Sequence, residues 1–351
     1  MARKTIGSII REIRESDGII RGHITDRSIN REFVFEDPEI KDLFREVLWA
    51  AAIFFDIVVY TYAFLDNHYH LNIKVPPPYT DESRPDDAEL VWRYGVWYGS
   101  ERGEALRTQM DQLKKAGLEK ELESIRKRLL RRMRDLSSFQ QGLNQRFTYL
   151  YGKKKEKTGP IFSGRYHLSG YRKQPSALCF ISSYIEKNPI RIGLCRDYGV
   201  YRWTGFGDAI RGNEEARRGI TELVRDAFGW KDISYSEAAE IFNAILVHGY
   251  YEVSPNLFDR DLAEALAYVR SLPRYPDSSD MGHIISDIRN LGDIPMRDML
   301  SFTLRALTRA HVFEIVKKMG RDRKRGYYPI GNGMYAKIDH RIRGPDMAKP
   351  T

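Results

Sequence analysis

The sequence predicts an α+β chain, with an antiparallel sheet in residues 1–207 and a mainly helical region in 208–351. Three observations predict it. First, residues 68–75 alternate: His68, His70, Asn72 and Lys74 are polar, whereas Tyr69, Leu71, Ile73 and Val75 are apolar. That is the period of a strand with one buried and one polar face. Second, Asp66-Asn67 before it is turn chemistry, and residues 57–65 are rich in Val, Tyr and Phe, as expected of an antiparallel partner. Third, helical spacing dominates from about residue 212.

In chain order, residues 1–17 are basic and expected to be partly ordered at best, and 18–30 read as a first strand. Asp37-Pro38-Glu39 starts a helix, since proline suits the first turn and acids suit the positive end of the dipole. That helix should reach about Phe55. After the two strands, Pro76-Pro77-Pro78 breaks the sheet. A polar insertion follows (about 77–118), acidic at its start, with Trp92, Tyr94, Trp97 and Tyr98 available to dock it. Residues 118–150 read as one long amphipathic helix with Leu122, Ile125, Leu129, Met133 and Leu136 at helical spacing. Its other face carries Arg126, Arg128, Arg131, Arg132 and Arg134, with Lys153, Lys154 and Lys155 beyond. This is either a solvated helix face or a face that tracks phosphates. Residues 161–170 read as a fourth strand. Residues 175–188 read as a helix ended by Pro189, which lacks an N–H. Helices are expected over 214–228, 236–248, 259–271 and 293–319, and a hairpin with a Gly-Asn-Gly turn over 326–338. The basic segment 304–338 is either a DNA contact or part of a helical cap, and 344–351 look like a free tail.

Lysine and arginine outnumber acids 57 to 48, a net charge of +9 that favours a polyanionic partner, nucleic acid first. Cys179 and Cys195 are the only cysteines, too few for a disulfide framework, so a reducing cytoplasm is expected. No signal peptide is visible. Residues 47–65 carry a single charge, Asp56, and approach span length, but they divide into a helix end and a buried strand, so no membrane is expected.

Two imidazoles on one face of a central strand suit a divalent metal; an exposed face that happens to carry two histidines is the plain alternative. Tyr184 and Asn188 are four apart and share a helix face. A phenol of ordinary pKa near 10 needs help to become a nucleophile, and a metal beside it can polarise a phosphate. A packed core tyrosine and a helix-end asparagine are the plain alternatives.

Four blocks taken together carry a resemblance: His68-Tyr-His70 after a strand and turn; Phe162-Ser-Gly-Arg165-Tyr166; Tyr184-Ile-Glu-Lys-Asn188-Pro189-Ile-Arg-Ile-Gly193; and Tyr201-Arg-Trp203-Thr. In order and spacing they resemble the single-tyrosine HUH transposases, most closely the IS200-like branch with the REP-associated tyrosine transposases. The resemblance covers about 18–207, excepting the insertion, and not 208–351. One departure is Asp66, where relatives often have proline.

The resemblance implies a ferredoxin-like antiparallel sheet, the HUH palm, with helices on one face. It implies a catalytic domain over 1–207 and an accessory region over 208–351. His68 and His70 would bind Mg²⁺ or Mn²⁺, with Asn188 as third ligand, and Tyr184 would attack a phosphodiester of single-stranded DNA. The products are a 5′-phosphotyrosine link and a free 3′-OH, and a second attack rejoins hairpin-flanked ends. Arg165 matches the family's Gly-Arg-Tyr block as a DNA contact. Arg131, Arg132, Lys153 and Lys154 are further candidate DNA contacts from the basic run. A monomer or homodimer in the bacterial cytoplasm, associated with the nucleoid, is expected. The rivals are a non-catalytic, domesticated hairpin-DNA-binding protein of the same fold and a two-histidine metallohydrolase using activated water.

Overall fold

The computed structural model describes residues 10, 12–14 and 16–273, and the backbone of 327–331 and 334–337. The expected helix 293–319, most of the basic segment 304–338 and the tail lie outside the described residues. The chain runs through β1 (Ile20–Arg27), α1 (Pro38–Phe55), β2 (Val58–Leu65) and β3 (His68–Val75). Then come α2 (Asp87–Tyr98), α3 (Ser100–Lys115), α4 (Glu119–Leu130), α5 (Leu136–Lys155), β4 (His167–Tyr171) and α6 (Pro175–Arg191). The rest is α7 (Gly205–Ile210), α8 (Glu214–Phe228), α9 (Tyr235–His248), α10 (Tyr250–Val253), α11 (Leu262–Ser271) and a hairpin of β5 (Tyr327–Gly331) and β6 (Met334–Lys337).

The molecule is mixed α+β, and its main sheet has four strands in the order β2-β3-β1-β4. All neighbours are antiparallel. The register sets His70 opposite Thr25 on β1 and Ala63 on β2, and His23 opposite Asn72. Because side chains alternate, Arg21, His23 and Thr25 share a face with His68, His70, Asn72 and Lys74.

Both faces are covered, which corrects the expectation of helices on one face. On the apolar side the Phe44 ring of α1 sits 4.7 Å from Tyr69, and Phe147 of α5 sits 4.8 Å from Phe44. On the polar side Asn72 Nδ2 donates to Ser182 Oγ of α6 at 2.9 Å, and Arg21 pairs with Asp226 of α8 at 3.3 Å. A polar face can be buried when each group finds a partner, and alternation alone cannot show those partners. Helix α8 approaches closely because Gly219 lies against the Val59 and Tyr60 carbonyls, where a Cβ would clash. The edge of β2 is closed by the Phe64 N–H donating to the Trp203 carbonyl (3.0 Å) and a bridge from Ala63 to Thr204.

Helix α1 starts as expected, with Asp37 accepting from the Glu39 N–H at 2.9 Å. The long helix expected over 118–150 is instead α4 and α5. Arg134 between them takes φ +55°, its N–H donates to the Phe55 carbonyl, and its guanidinium holds Asp56 and the Pro77 carbonyl. Asp135 then caps α5 by accepting from the Ser138 N–H. A tertiary anchor thus overrides local helix preference. The fourth strand is shorter than expected; Phe162 makes only an isolated bridge to Ser28. The insertion is the hairpin α2–α3, docked by Trp97 stacking on Phe54 at 6.0 Å, whereas Trp92 is exposed.

Candidate functional site: a histidine pair, a tyrosine and a buried arginine

The site lies between the polar face of β1 and β3 and the helix α6. Each histidine is held through Nδ1. His68 Nδ1 donates to Asn67 Oδ1 at 2.7 Å, which fixes the tautomer with its lone pair on Nε2. His70 Nδ1 shares a hydrogen bond with His23 Nε2 at 3.0 Å and lies 3.1 Å from Thr25 Oγ1. The His68 and His70 rings meet edge to face at 4.9 Å. Burial pushes the His68 pKa down to about 4, helped by the positive charge of Arg27. It pushes His23 down to about 3 and His70 well below its ordinary value. All three rings are therefore neutral near pH 7, the state in which imidazole binds a metal.

Tyr184 comes to this cluster from α6. Its ring lies edge-on to His70 at 6.0 Å and to His23 at 6.2 Å. Burial raises the Tyr184 pKa, and the charge of Arg191 is the main influence that opposes the rise. The Arg191 guanidinium stands 5.4 Å over the tyrosine ring. Two of its nitrogens, Nε and Nη2, are buried without a hydrogen-bond partner.

Helix α6 does not end at Pro189 but continues to Arg191. Pro189 cannot donate to the Ile185 carbonyl; Asn188 Nδ2 lies 3.5 Å from that oxygen and donates to the Tyr184 carbonyl at 3.0 Å. The Asn188 amide nitrogen thus serves the backbone, and Oδ1 is the atom a cation would use. Below, Glu186 Oε1 accepts from the Phe206 N–H at 2.7 Å and from the Thr61 hydroxyl, and burial pushes its carboxyl up to about 7.

Among the described residues no group of three or more His, Cys, Asp or Glu side chains is placed to hold a metal. His68 and His70 are each oriented through Nδ1, as metal-binding histidines commonly are, and Asn188 lies one turn beyond Tyr184 on α6. Reading the sequence missed His23, Thr25 and Arg191. Strand alternation in residues 18–30 pairs His23 with Thr25, and Tyr184, Asn188 and Arg191 follow the i, i+4, i+7 spacing of one helix face.

The candidate DNA contacts divide. Arg165 is exposed in the loop before β4, a loop tied to β1 by the Ser163 N–H donating to the Arg27 carbonyl at 2.9 Å. Arg131 and Lys153 are exposed. Arg132 is half-buried, donates to the Tyr98 hydroxyl and lies 5.3 Å over the Phe54 ring, so it braces the insertion. Lys154 pairs with Glu39 at 2.7 Å. Arg126 is tied to Asp87, Glu119 and Glu123, so part of the basic face of α4 is an ion-pair seam with α2 rather than an open phosphate track. Among the described residues no helix is long and apolar enough to cross a membrane. No protein-family model, curated protein or solved structure matches this chain.

Proposed function

We propose that this protein is a single-tyrosine DNA strand transferase of the HUH type, assisted by Mg²⁺ or Mn²⁺. The observation that carries the reading is the approach of the Tyr184 ring to His70 at 6.0 Å, from a helix far along the chain. The path β1-α1-β2-β3-α5-β4, in the order β2-β3-β1-β4, is what a ferredoxin-like palm with an insertion requires. It therefore supports the same reading.

His68, His70 and Asn188 Oδ1 would hold the cation. When bound it polarises the phosphate and stabilises developing charge. The chain's own residues do the rest. The cluster encloses the reacting groups and excludes water, which strengthens every charge interaction there. Arg191, whose guanidinium has nitrogens to spare, receives a phosphate oxygen beside the phenol. The Tyr184 oxygen forms the new P–O bond as the 3′ oxygen of the strand leaves with the proton that the phenol gives up. A phosphodiester is exchanged for a phosphodiester, so no nucleotide cofactor is consumed.

One observation favours the rival, a non-catalytic hairpin-DNA binder. Tyr184 is only 8% exposed and His70 3%, so a strand reaches them only if the packing of α6 on the sheet opens. The full chain incubated with Mg²⁺ or Mn²⁺ and hairpin-flanked single-stranded DNA separates the readings. A covalent protein–DNA adduct that Tyr184→Phe abolishes supports transfer. Binding without cleavage under any metal supports the binder, and cut DNA with no protein attached supports the metallohydrolase.

A further inference from the structure

On the far side of the sheet from Tyr184, the insertion and α5 enclose a groove of about 660 Å³. Its walls are Trp97 and Tyr98 at the end of α2, Arg102 in the first turn of α3, Arg132, and Arg146 and Tyr149 on α5. The groove follows from the sequence. Gly142 has no Cβ, and one placed there would stand 2.7 Å from Phe55 and 3.4 Å from Trp97. The glycine therefore lets both rings seat against α5, and Trp97 and Gly142 line the groove there. Gly103 plays the same part between α2 and α3, where a Cβ would stand 2.9 Å from Gly95 Cα.

The charge of the groove sets it apart from the rest of the insertion. Elsewhere in the insertion the arginines are neutralised: Arg84 by Glu123, Arg93 by Asp56 and Glu89, Arg107 by Glu104. Arg102, Arg132 and Arg146 pair with no carboxylate among the described residues. Glu101 is the one carboxylate in the lining. Arg146 stacks on the Trp97 ring at 4.6 Å, and burial lowers its pKa. Tyr149 is 69% exposed and presents an open ring face. Unpaired guanidinium groups beside a free aromatic face are the combination that takes a phosphate and stacks the base attached to it. The volume is in the range of a small-molecule site and far exceeds what a lone phosphate needs.

We propose that this groove binds an unpaired nucleotide of the DNA strand, its base stacked on Tyr149 and its phosphate on Arg102 and Arg146. The inference rests on the reading of the substrate as single-stranded DNA. Because α5 packs on the Tyr69 face and α6 on the histidine face, the nucleotide held here is not the one cleaved at Tyr184. The substrate must then present two unpaired stretches, one to each face of the sheet.

The test uses the full chain and a fluorescent single-stranded oligonucleotide without a hairpin, with affinity read by anisotropy. Tyr149→Ala and Arg102→Ala change exposed side chains, so each should keep the wild-type melting temperature. Tyr149→Ala is expected to weaken oligonucleotide binding about tenfold, in line with the loss of one base stack, and Arg102→Ala about as much, with a shallower salt dependence from the loss of one phosphate contact. At saturating hairpin DNA, both should still form the Tyr184 adduct. Photocrosslinking of a bromodeoxyuridine oligonucleotide is expected to label Tyr149 or Trp97. Unchanged affinity in both variants, or crosslinks only outside the groove, would overturn the proposal. Displacement of the oligonucleotide by deoxyadenosine monophosphate at comparable concentration would also overturn it, since the ligand would then be a free nucleotide. The binding assay does not depend on cleavage, so it reads the groove even if no adduct forms.

Discussion

The two faces of one sheet are both covered, by opposite chemistry, and the apolar one more completely: Tyr69, Leu71, Ile73 and Val75 are fully buried, whereas Thr25, His68 and Lys74 are half-buried. On the α1–α5 face, Phe35, Phe44, Phe64, Tyr69 and Phe147 interlock, with Phe44 at 4.7 Å to 5.0 Å from the four others. That face gains stability from apolar area and aromatic geometry. On the α6–α8 face, Arg21, His23, His70 and Asn72 are each at most 3% exposed. Burying polar groups costs free energy unless they are hydrogen-bonded, and for a buried ion pair such as Arg21–Asp226 an apolar replacement is often at least as stable. On the proposed reading the polar cluster is the site and the aromatic face is the scaffold that holds it.

The largest expected effects contrast the faces directly. Tyr184→Phe should abolish adduct formation while moving the urea midpoint little. Phe44→Ala should cost about 3–5 kcal/mol of stability by leaving a cavity, measured in the same titration. Equal destabilisation by both would make Tyr184 a plain core residue. Next, Arg191→Gln removes the charge over the phenol. It should slow adduct formation on the order of 10²-fold, as losing a preorganised charge-stabilising donor does, without changing the hairpin affinity. A rate within twofold of wild type would remove Arg191 from the site.

A third test uses pH. Glu186 titrates near 4.5 when unfolded and at about 7 in the fold. Between those values the native state holds a proton that the unfolded state has lost, so stability falls as pH rises through this window. The loss is about 3 kcal/mol at most, from 1.36 kcal/mol per unit. Glu186→Gln keeps an acceptor for the Phe206 N–H and the Thr61 hydroxyl, and its unfolding free energy should fall less than that of wild type between pH 4.5 and 7. Parallel profiles would show that Glu186 does not carry this cost. The smallest effect is expected at the surface. Lys154→Ala removes an exposed pair with Glu39 and should change stability by less than about 1 kcal/mol, with a larger shift pointing to a role beyond that pair.

What could be read in the sequence was local. Asp37, Pro38 and the Asp66-Asn67 turn act within a few residues, so α1 and the β2–β3 hairpin were legible within a residue or two. Alternation placed His68 and His70 on one face, and helical spacing did the same for Tyr184 and Asn188. What was not legible depends on partners distant in the chain. The break at Arg134 is imposed by Phe55, Asp56 and Pro77. What covers the polar face was not legible because Ser182, Asp226 and His23, which satisfy it, arrive from other elements. Pro189 looked like a helix end because the help from Asn188 Nδ2 is a side-chain geometry that no propensity encodes.

Electron paramagnetic resonance of Mn²⁺ added to the full chain asks whether His68 and His70 grip a cation beside Tyr184. The expected result is a bound ion coupled to two imidazole nitrogens, with one coupling lost in His68→Ala and one in His70→Ala, and a spectrum that shifts in Tyr184→Phe. A spectrum of free aqueous Mn²⁺ at concentrations that support DNA cleavage, or bound Mn²⁺ indifferent to all three changes, would contradict it.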